Sequence, residues 1–368
     1  MTRVLDFAKK NAVMLIAALA AAITCFIVPP DKEYLGYFDL KTLSCLFSVL
    51  CVVCALRNIR FFYVIAKAIV RRFKNTRMSI LALVYITFIG SMLIANDMAL
   101  LTFLPLGYFV LHTTGKDKYL AFAFIMQNIA ANLGGMLTPF GNPQNLYLYT
   151  KFNIPDLEFM SIMLLPFIIS ILLITACCLI FVKNEPLEIK ERSPSLPVAR
   201  TVIYLLLFAL AIAIVFRGIP YLVGLIVIPA VLLFMDREAL KNVDYGLLLT
   251  FVFFFIFSGN MARIPAVSDF FSYLLSIDTL VFSALSCQVI SNVPSAILLS
   301  QFTDNYRELL LGVNIGGVGT LISSLASLIT FKEYTRQSPN HTVSYIVKFS
   351  LYNFAFLILL VLICAIFR

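Results

Sequence analysis

Asn132-Leu133-Gly134-Gly135-Met136-Leu137-Thr138-Pro139-Phe140-Gly141-Asn142-Pro143-Gln144 interrupts an otherwise apolar run between residues 119 and 150. The stretch holds three glycines and two prolines. Pro139 and Pro143 each lack an N–H, so no regular helix continues through it. Tyr119 to Asn132 is helical in character, and a shorter helix is expected from Asn145. The segment therefore reads as one membrane crossing broken in the middle. Its pattern returns later. Asn132-Leu133-Gly134-Gly135 followed by Thr138 is matched by Asn314-Ile315-Gly316-Gly317 followed by Thr320. Beyond each threonine stand Gly141-Asn142 and Ser323-Ser324. A second broken crossing is expected over 308–331.

The chain around these breaks is built for lipid. Of 368 residues, 61% are hydrophobic and 13% charged, with a mean hydropathy of +0.96. A soluble domain carries about a quarter charged residues and about half apolar ones. The apolar residues come in long blocks, which predicts an all-α polytopic membrane protein. A soluble chain of this size could not bury nearly every helix on all faces. The net charge of +9 gathers in a few short loops, the pattern of membrane topology and not of nucleic-acid binding. All eight cysteines fall in apolar stretches, so Cys51-Val-Val-Cys54 reads as small apolar helix residues and no metal site is expected. His112 and His341 sit near expected helix ends. With no Trp in the chain, tyrosine must supply any interfacial aromatic belt. Arg3, Lys9 and Lys10 precede an apolar run that superficially resembles a signal peptide. No small-residue cleavage site precedes Pro29-Pro30, so a retained first helix is expected.

Crossings are expected at 12–28 and 40–56. Residues 57–77 contain Arg57, Arg60, Lys67, Arg71, Arg72, Lys74 and Arg77 and no acid. Phe61, Ile65, Ala68 and Ile69 recur there at helical spacing, as in an interfacial amphipathic helix. The basic excess puts this segment, and the N-terminus, on the cytoplasmic side. Residues 79–112 are apolar except at Ala95-Asn96-Asp97. That is 34 residues, fewer than the roughly 40 that two crossings need. A re-entrant hairpin with arms of about 15 residues each follows, its tip at mid-membrane. Unwound backbone is tolerated at that depth only beside protein or a water-filled cavity, so the tip should face a site. The broken crossing 119–150 and a crossing at 159–182 complete the first repeat, 1–183.

A polar linker follows at 184–200. The second repeat, 201–368, has crossings between 201 and 258 (201–217, 219–235, 242–258), an interfacial segment at 263–277 and a second re-entrant hairpin at 279–306. Its tip is Ser291-Asn292-Val293-Pro294-Ser295. The broken crossing 308–331 and a crossing at 343–367 end the chain. The interfacial segments follow Asn58 and Asn260, and the tips Ala95-Asn96 and Ser291-Asn292 correspond. Nine crossings and two hairpins result. The first hairpin opens inward and the second outward, an inverted-topology repeat with interrupted helices at matching positions. The first half is one helix shorter than the second.

These residues resemble a known group. Asn96-Asp97-Met98-Ala99-Leu100 is similar to the NDGAAL-type tip of arsenite-efflux permeases, and Gly141-Asn142-Pro143-Gln144-Asn145 to their GNPxN segment. Ser291-Asn292-Val293-Pro294-Ser295 resembles their NNLPS tip, and Thr320 to Leu328 their TPxGSLATL. The resemblance runs from about 57 to 334 and points to the ion-transporter superfamily. That group also holds citrate carriers, divalent-anion/sodium symporters and one type of sodium/proton antiporter. It implies an elevator-type fold with a scaffold and a transport domain, a bacterial inner membrane and a homodimer. The divalent-anion symporters carry SNT at both tips. Here the tips read Ala-Asn-Asp and Ser-Asn-Val, which departs from their sodium–dicarboxylate pattern.

Asn96, Asp97, Thr138, Gly141, Asn142, Ser291, Asn292, Thr320, Ser323 and Ser324 are expected to converge as the substrate or ion site. They offer hydroxyls, amides and freed backbone groups but no cation. Exposed helix N-termini could hold an anion, and carbonyls with side-chain oxygens could hold Na⁺. Gly134, Gly135, Gly316 and Gly317 are expected to let the backbone break. Asp97 is the one carboxylate within an expected break. A charged Asp there costs about 2.5–3.5 kcal/mol on insertion scales, which favours its neutral form and suits a proton-coupling group. The competing role is a cap on the N–H groups of Met98–Leu100. Gln127 and Asn128 could line the site or join helices. Arg217 and Arg263 read as snorkelling residues.

A secondary transporter for a small anion or oxyanion, coupled to H⁺ or Na⁺, is the leading function. A cation/proton antiporter on the same fold is the alternative, although one buried carboxylate is few for that role. No nucleophile–base pair or His-rich cluster suggests an enzyme. No GxxxxGK[ST] suggests ATP use or any resident cofactor, while a passive channel would use the same fold. The opposed hairpins make a direct prediction. Lys74→Cys should label from the cytoplasmic side and Asp304→Cys from the opposite side. Labelling of both from one side would break the inverted topology.

Overall fold

Short polar side chains set where the helices start, because each satisfies free N–H groups of a first turn. Asp39 accepts from Thr42 N at 2.9 Å, Asn75 from Met78 N at 2.8 Å, Asp244 from Leu247 N at 2.9 Å and Asp278 from Val281 N at 2.9 Å. The computed structural model describes residues 11–187 and 195–367. Arg3, Lys9, Lys10 and linker positions 188–194 lie outside the described residues.

The first half runs α1 (Ala12–Ile27), α2 (Leu40–Asn58), α3 (Phe61–Val70), α4 (Thr76–Ile94), α5 (Asn96–Thr113), α6 (Leu120–Gly134), α7 (Pro143–Lys151) and α8 (Asp156–Phe181). The second runs α9 (Val198–Val215), α10 (Tyr221–Met235), α11 (Arg237–Lys241), α12 (Tyr245–Ala262), α13 (Pro265–Ile277), α14 (Thr279–Ile290), α15 (Asn292–Leu299), α16 (Tyr306–Ile315), α17 (Leu325–Gln337) and α18 (Thr342–Ile366). Seven described helical segments are long and apolar enough to cross a membrane. Large apolar side chains lie on the outside of the outer helices, such as Phe26 at 88% and Phe234 at 84% exposure. Lipid is the medium that accepts such surface. The chain is an all-α polytopic membrane protein.

Packing pairs the halves. Helix α1 lies on α12, and α10 lies on α2. Within each half, the first hairpin arm packs on the first part of the broken helix, α4 on α6 and α14 on α16. Across the halves, the second hairpin arm packs on the far part of the other broken helix, α5 on α17 and α15 on α7. The centre is α6, whose residues from Ala123 to Gly134 are buried throughout. Buried polar groups tie the bundle to it. Gln127 Nε2 donates to Thr87 Oγ1 at 3.0 Å and Phe103 O at 3.2 Å. Asn128 Nδ2 donates to Ser327 Oγ at 3.4 Å and Asn353 Oδ1 at 3.3 Å. Both side chains therefore join helices.

Three boundaries differ from the sequence expectation. The first hairpin spans 76–113, with arms of 19 and 18 residues, about 28 Å each at 1.5 Å per residue. The Asn75 cap starts it early, and Pro105 is accommodated inside α5. The second hairpin stops at Leu299, and its second arm has 8 residues. Loop residues follow until Asn305 caps α16. The basic segment is not one helix: Arg57 and Asn58 end α2, Phe61–Val70 form α3, and Arg60 with a left-handed φ of 57° separates the two. Its inward face is Phe62, Ala66 and Val70, while Ile65 and Ile69 point outward.

The arginines expected to snorkel are bonded. Arg217 Nη2 donates to Tyr149 O at 2.9 Å, with the guanidinium 4.1 Å above the Tyr149 ring. Arg263 Nη2 meets Asp31 Oδ2 at 2.6 Å, and its Nη1 meets Tyr37 Oη at 3.1 Å. The start of the linker is strapped to the first hairpin. Thr76 N donates to Glu185 O at 2.8 Å. Lys116 and Lys118 each reach the Glu185 carboxylate at 2.6 Å, and hydrogen bonds from these ammonium groups pull its pKa down to about 2.

Candidate functional site

Each hairpin turns at one strained residue. Ala95 has φ 66° and ψ 152°, and Ser291 has φ 74° and ψ 157°. Backbone of this kind is nearly reserved for glycine and costs about 1–3 kcal/mol elsewhere. Two non-glycine residues at matching tip positions hold it here. The next residue repeats as well. Asn96 Oδ1 accepts from Asp97 N, and Asn292 Oδ1 from Val293 N, both at 2.9 Å. Each asparagine side chain satisfies a free N–H at the start of α5 or α15.

The threonines of the breaks bind the hairpins in the same way. Thr138 Oγ1 donates to Met92 O at 2.8 Å, and Thr320 Oγ1 to Gln288 O at 3.1 Å. Met92 and Gln288 each stand four residues before the tip asparagine. Gln288 also holds the second break, donating to Gly316 O at 2.9 Å and accepting from Thr320 N at 2.9 Å. Ser323 O accepts from Asn292 N at 2.9 Å and Ser291 Oγ at 3.3 Å. Ser323 Oγ donates back to Gly317 O at 2.9 Å, and Ser324 caps α17 through Ser327 N at 3.1 Å. Gly141 N closes the first break onto Thr138 O at 3.2 Å.

A chain of amides joins the halves. Asn96 Nδ2 donates to Asn132 Oδ1 at 3.2 Å. Asn142 Nδ2 lies 3.4 Å from both Asn132 O and Asn314 Oδ1. Asn314 Nδ2 donates to Asn145 Oδ1 at 2.6 Å. Asn145 Nδ2 is shared among the carbonyls of Gly135, Met136 and Thr138, each at 3.2 Å. The N-termini of α5, α7, α15 and α17 thus meet around Asn132, Asn314 and the second tip. At Gly317 an added Cβ would come 3.0 Å from Asn292 Nδ2 and 3.3 Å from Asn132 Oδ1. Gln144 Nε2 also lies 3.4 Å from Asn314 Oδ1, and Asn132, Gln144, Asn145, Gln288 and Asn314 are absent from the site expected on sequence. Asn132 and Asn314 head the repeated motif, which was the available signal; Gln288 carried none.

The break glycines serve close approach more than dihedral freedom. Gly135 and Gly316 have helical φ of −62° and −64°. A Cβ on Gly135 would sit 2.5 Å from Asn142 Oδ1, and one on Gly316 2.8 Å from Cys287 Sγ. A Cβ on Gly134 would meet Ser91 Oγ at 2.7 Å. Positive φ falls instead on Gly319, at 130°.

Asp97 stands apart from the amide chain. It does not cap α5: Ala99 N donates to Ala95 O at 3.0 Å. Its Oδ1 is buried without a hydrogen-bond partner among the described residues, and so is Asn142 Oδ1. Both residues line one narrow cleft of about 20 Å³ with Ala95, Leu50, Phe140 and Asp244. That is room for about one water-sized occupant. The cleft runs between the first tip and helices α2 and α12. Asp244, at the start of α12, adds a second carboxylate that sequence spacing gave no reason to place there.

The family model and one relative point to a transporter, and a second relative is an inner membrane protein. A family model described as citrate transporter matches residues 4–306. The chain is 34% identical over 304 residues to an uncharacterised transporter of Methanocaldococcus jannaschii, covering 82% of each. It is 27% identical over 327 residues to the inner membrane protein YbiR of Escherichia coli, covering 86% of each.

Strain at the tips yields a test. In Ala95→Gly and Ser291→Gly, relief of about 1–3 kcal/mol competes with about 0.4–1 kcal/mol of added unfolded-state entropy. Strain should win, raising the thermal unfolding midpoint in detergent. A fall in midpoint for both variants would mean the tips are not strained.

Proposed function

The chain belongs to the citrate transporter family, and from that premise we propose that it moves a small anion or oxyanion by alternating access, coupled to H⁺ or Na⁺. The observation that carries this reading is the meeting of four helix N-termini at the tips and breaks, beside a cleft lined by two unpaired oxygens. Each N-terminus presents about half a positive charge. Four of them offer an anion roughly two charges' worth of attraction without a cationic side chain. N–H groups aimed at an oxyanion add directional bonds. Asp97 Oδ1 and Asn142 Oδ1 are acceptors, so the cleft they line suits a proton on Asp97 or a small cation between them.

Alternating access then follows from the inverted repeat. Hairpins α4–α5 and α14–α15, with the two broken helices, form the moving body. Helices α1, α2, α10 and α12, which pack on one another in exchanged pairs, form the scaffold. The basic segment Arg57–Arg77 and the N-terminus lie in the cytoplasm, and the membrane is the inner one. A symmetric dimer would steady the scaffold.

The cleft itself favours a second reading, a cation/proton antiporter. It has room for about a water-sized body and is faced by Asp97 and Asp244, as a Na⁺–H⁺ exchange site would be. Solid-supported-membrane currents from proteoliposomes separate the two. Arsenite, sulfate, phosphate, di- and tricarboxylates, Na⁺ and Li⁺ would be tried with and without a pH step. The proposal expects an anion-evoked current that depends on pH or Na⁺. A Na⁺- or Li⁺-evoked response with no anion requirement would replace it with the antiporter. Asp97→Asn should abolish uptake driven by a pH gradient while leaving substrate exchange. Unchanged gradient-driven uptake would remove Asp97 from the coupling step.

A further inference from the structure

Arg57 and Arg60 flank the break between α2 and α3, and neither meets a carboxylate among the described residues. The hydrogen-bond partner of Arg57 Nη1 is Met98 Sδ, at 3.4 Å, and thioether sulfur is a weak acceptor. The nearby acid is already engaged. Asp236 accepts from Asn58 Nδ2 at 3.1 Å, from Tyr204 Oη at 3.3 Å and from Ala239 N at 3.1 Å. Two permanent positive charges therefore stand exposed at the end of α2, in the basic segment that also holds Arg71, Arg72 and Lys74.

Between them and the first hairpin lies a cavity of about 280 Å³, lined by Arg57, Arg60, Phe62, Tyr63, Leu101, Thr102 and Pro105. It is far larger than the cleft at Asp97, and its wall is two-natured. Guanidinium groups occupy one part, and aromatic and aliphatic carbon the rest. Leu101 is 47% exposed there, and Ile65 and Ile69 of α3 also face outward. A small hydrophilic anion would leave this carbon wet. A phosphate diester carrying acyl chains satisfies both parts at once. Guanidinium forks bind phosphate through paired hydrogen bonds. A basic cluster beside a membrane helix is the recognised pattern for anionic headgroups.

We propose that Arg57 and Arg60 hold the phosphate of an anionic phospholipid, with its acyl chains running over Phe62, Leu101 and Pro105. The lipid would bridge the α2–α3 corner to hairpin arm α5. Its binding is separate from the identity of the transported ion.

The test measures lipid retention directly. Detergent-purified protein would be incubated with phosphatidylglycerol or phosphatidylcholine and examined by native mass spectrometry. Inorganic phosphate or glycerol phosphate would be added as competitor. Phosphatidylglycerol should be retained in preference to phosphatidylcholine. Arg57→Gln with Arg60→Gln should weaken retention roughly thirtyfold, the factor set by about 1 kcal/mol for each lost charge. Arg57→Lys with Arg60→Lys should lose less. Thr102→Trp, which keeps both charges but fills the cavity, should also lose the lipid. Equal retention of both lipids, or no change in the glutamine and tryptophan variants, would overturn the proposal. So would inorganic phosphate displacing the lipid at comparable concentration, which would mark a free-anion site instead.

Discussion

Unwound backbone at membrane depth needs a partner for every N–H and C=O, because hydrocarbon supplies none. That constraint explains the residues at the centre of this protein. The first break frees the carbonyls of Gly135, Met136 and Thr138, and one amide, Asn145, serves all three. In the second break Gln288 reaches across from the hairpin to Gly316 O and Val318 O. Each unpaired group would cost about 1–3 kcal/mol or more when buried. The breaks are thus affordable only because neutral amides and hydroxyls crowd around them. Charged side chains could not do this at similar cost.

The same constraint explains what was legible in the sequence. Glycine clustering marked both breaks, with two prolines added in the first, and polar residues around an asparagine marked both tips, because such residues are rare within lipid-spanning runs. Apolar runs placed most helix starts to within a few positions. The first hairpin begins earlier than the apolar run suggested because Asn75 caps it from among charged residues. The amphipathic helix α3 was found from its charges and apolar spacing, while the face it packs on protein, Phe62, Ala66 and Val70, was not read. Lipid and protein are both apolar neighbours, so periodicity cannot tell one from the other. Within the site, hydroxyls and tip asparagines stood out because they interrupt apolar runs. Gln288 and Asp244 did not, since each is joined to the tips only by tertiary packing. Asn132 and Asn314 were visible as the head of a repeated motif, while their contacts to the partner half were not.

The size of the central cleft bears on how such a site would work. At about 20 Å³ it is an order of magnitude below the roughly 300–1,000 Å³ of pockets that hold organic ligands. An organic anion could not occupy it as it stands, so transport of one would require the tips to part from α2 and α12. Part of the strain lies at that same place, in Ala95, and its counterpart lies at Ser291 of the second tip. Strained turns persist only where surroundings over-determine them, and here the surroundings are Ser323 O, Asn132 and the facing amides. A substrate that competes for those amides would loosen the very contacts that hold the tips. Charge adds a second lever. Burying a lone carboxylate at Asp97 is costly, and a proton or small cation on it would lower the cost of carrying the tip through the apolar scaffold. Occupied and empty states would then differ in how freely the tip crosses, and a coupled carrier requires that difference.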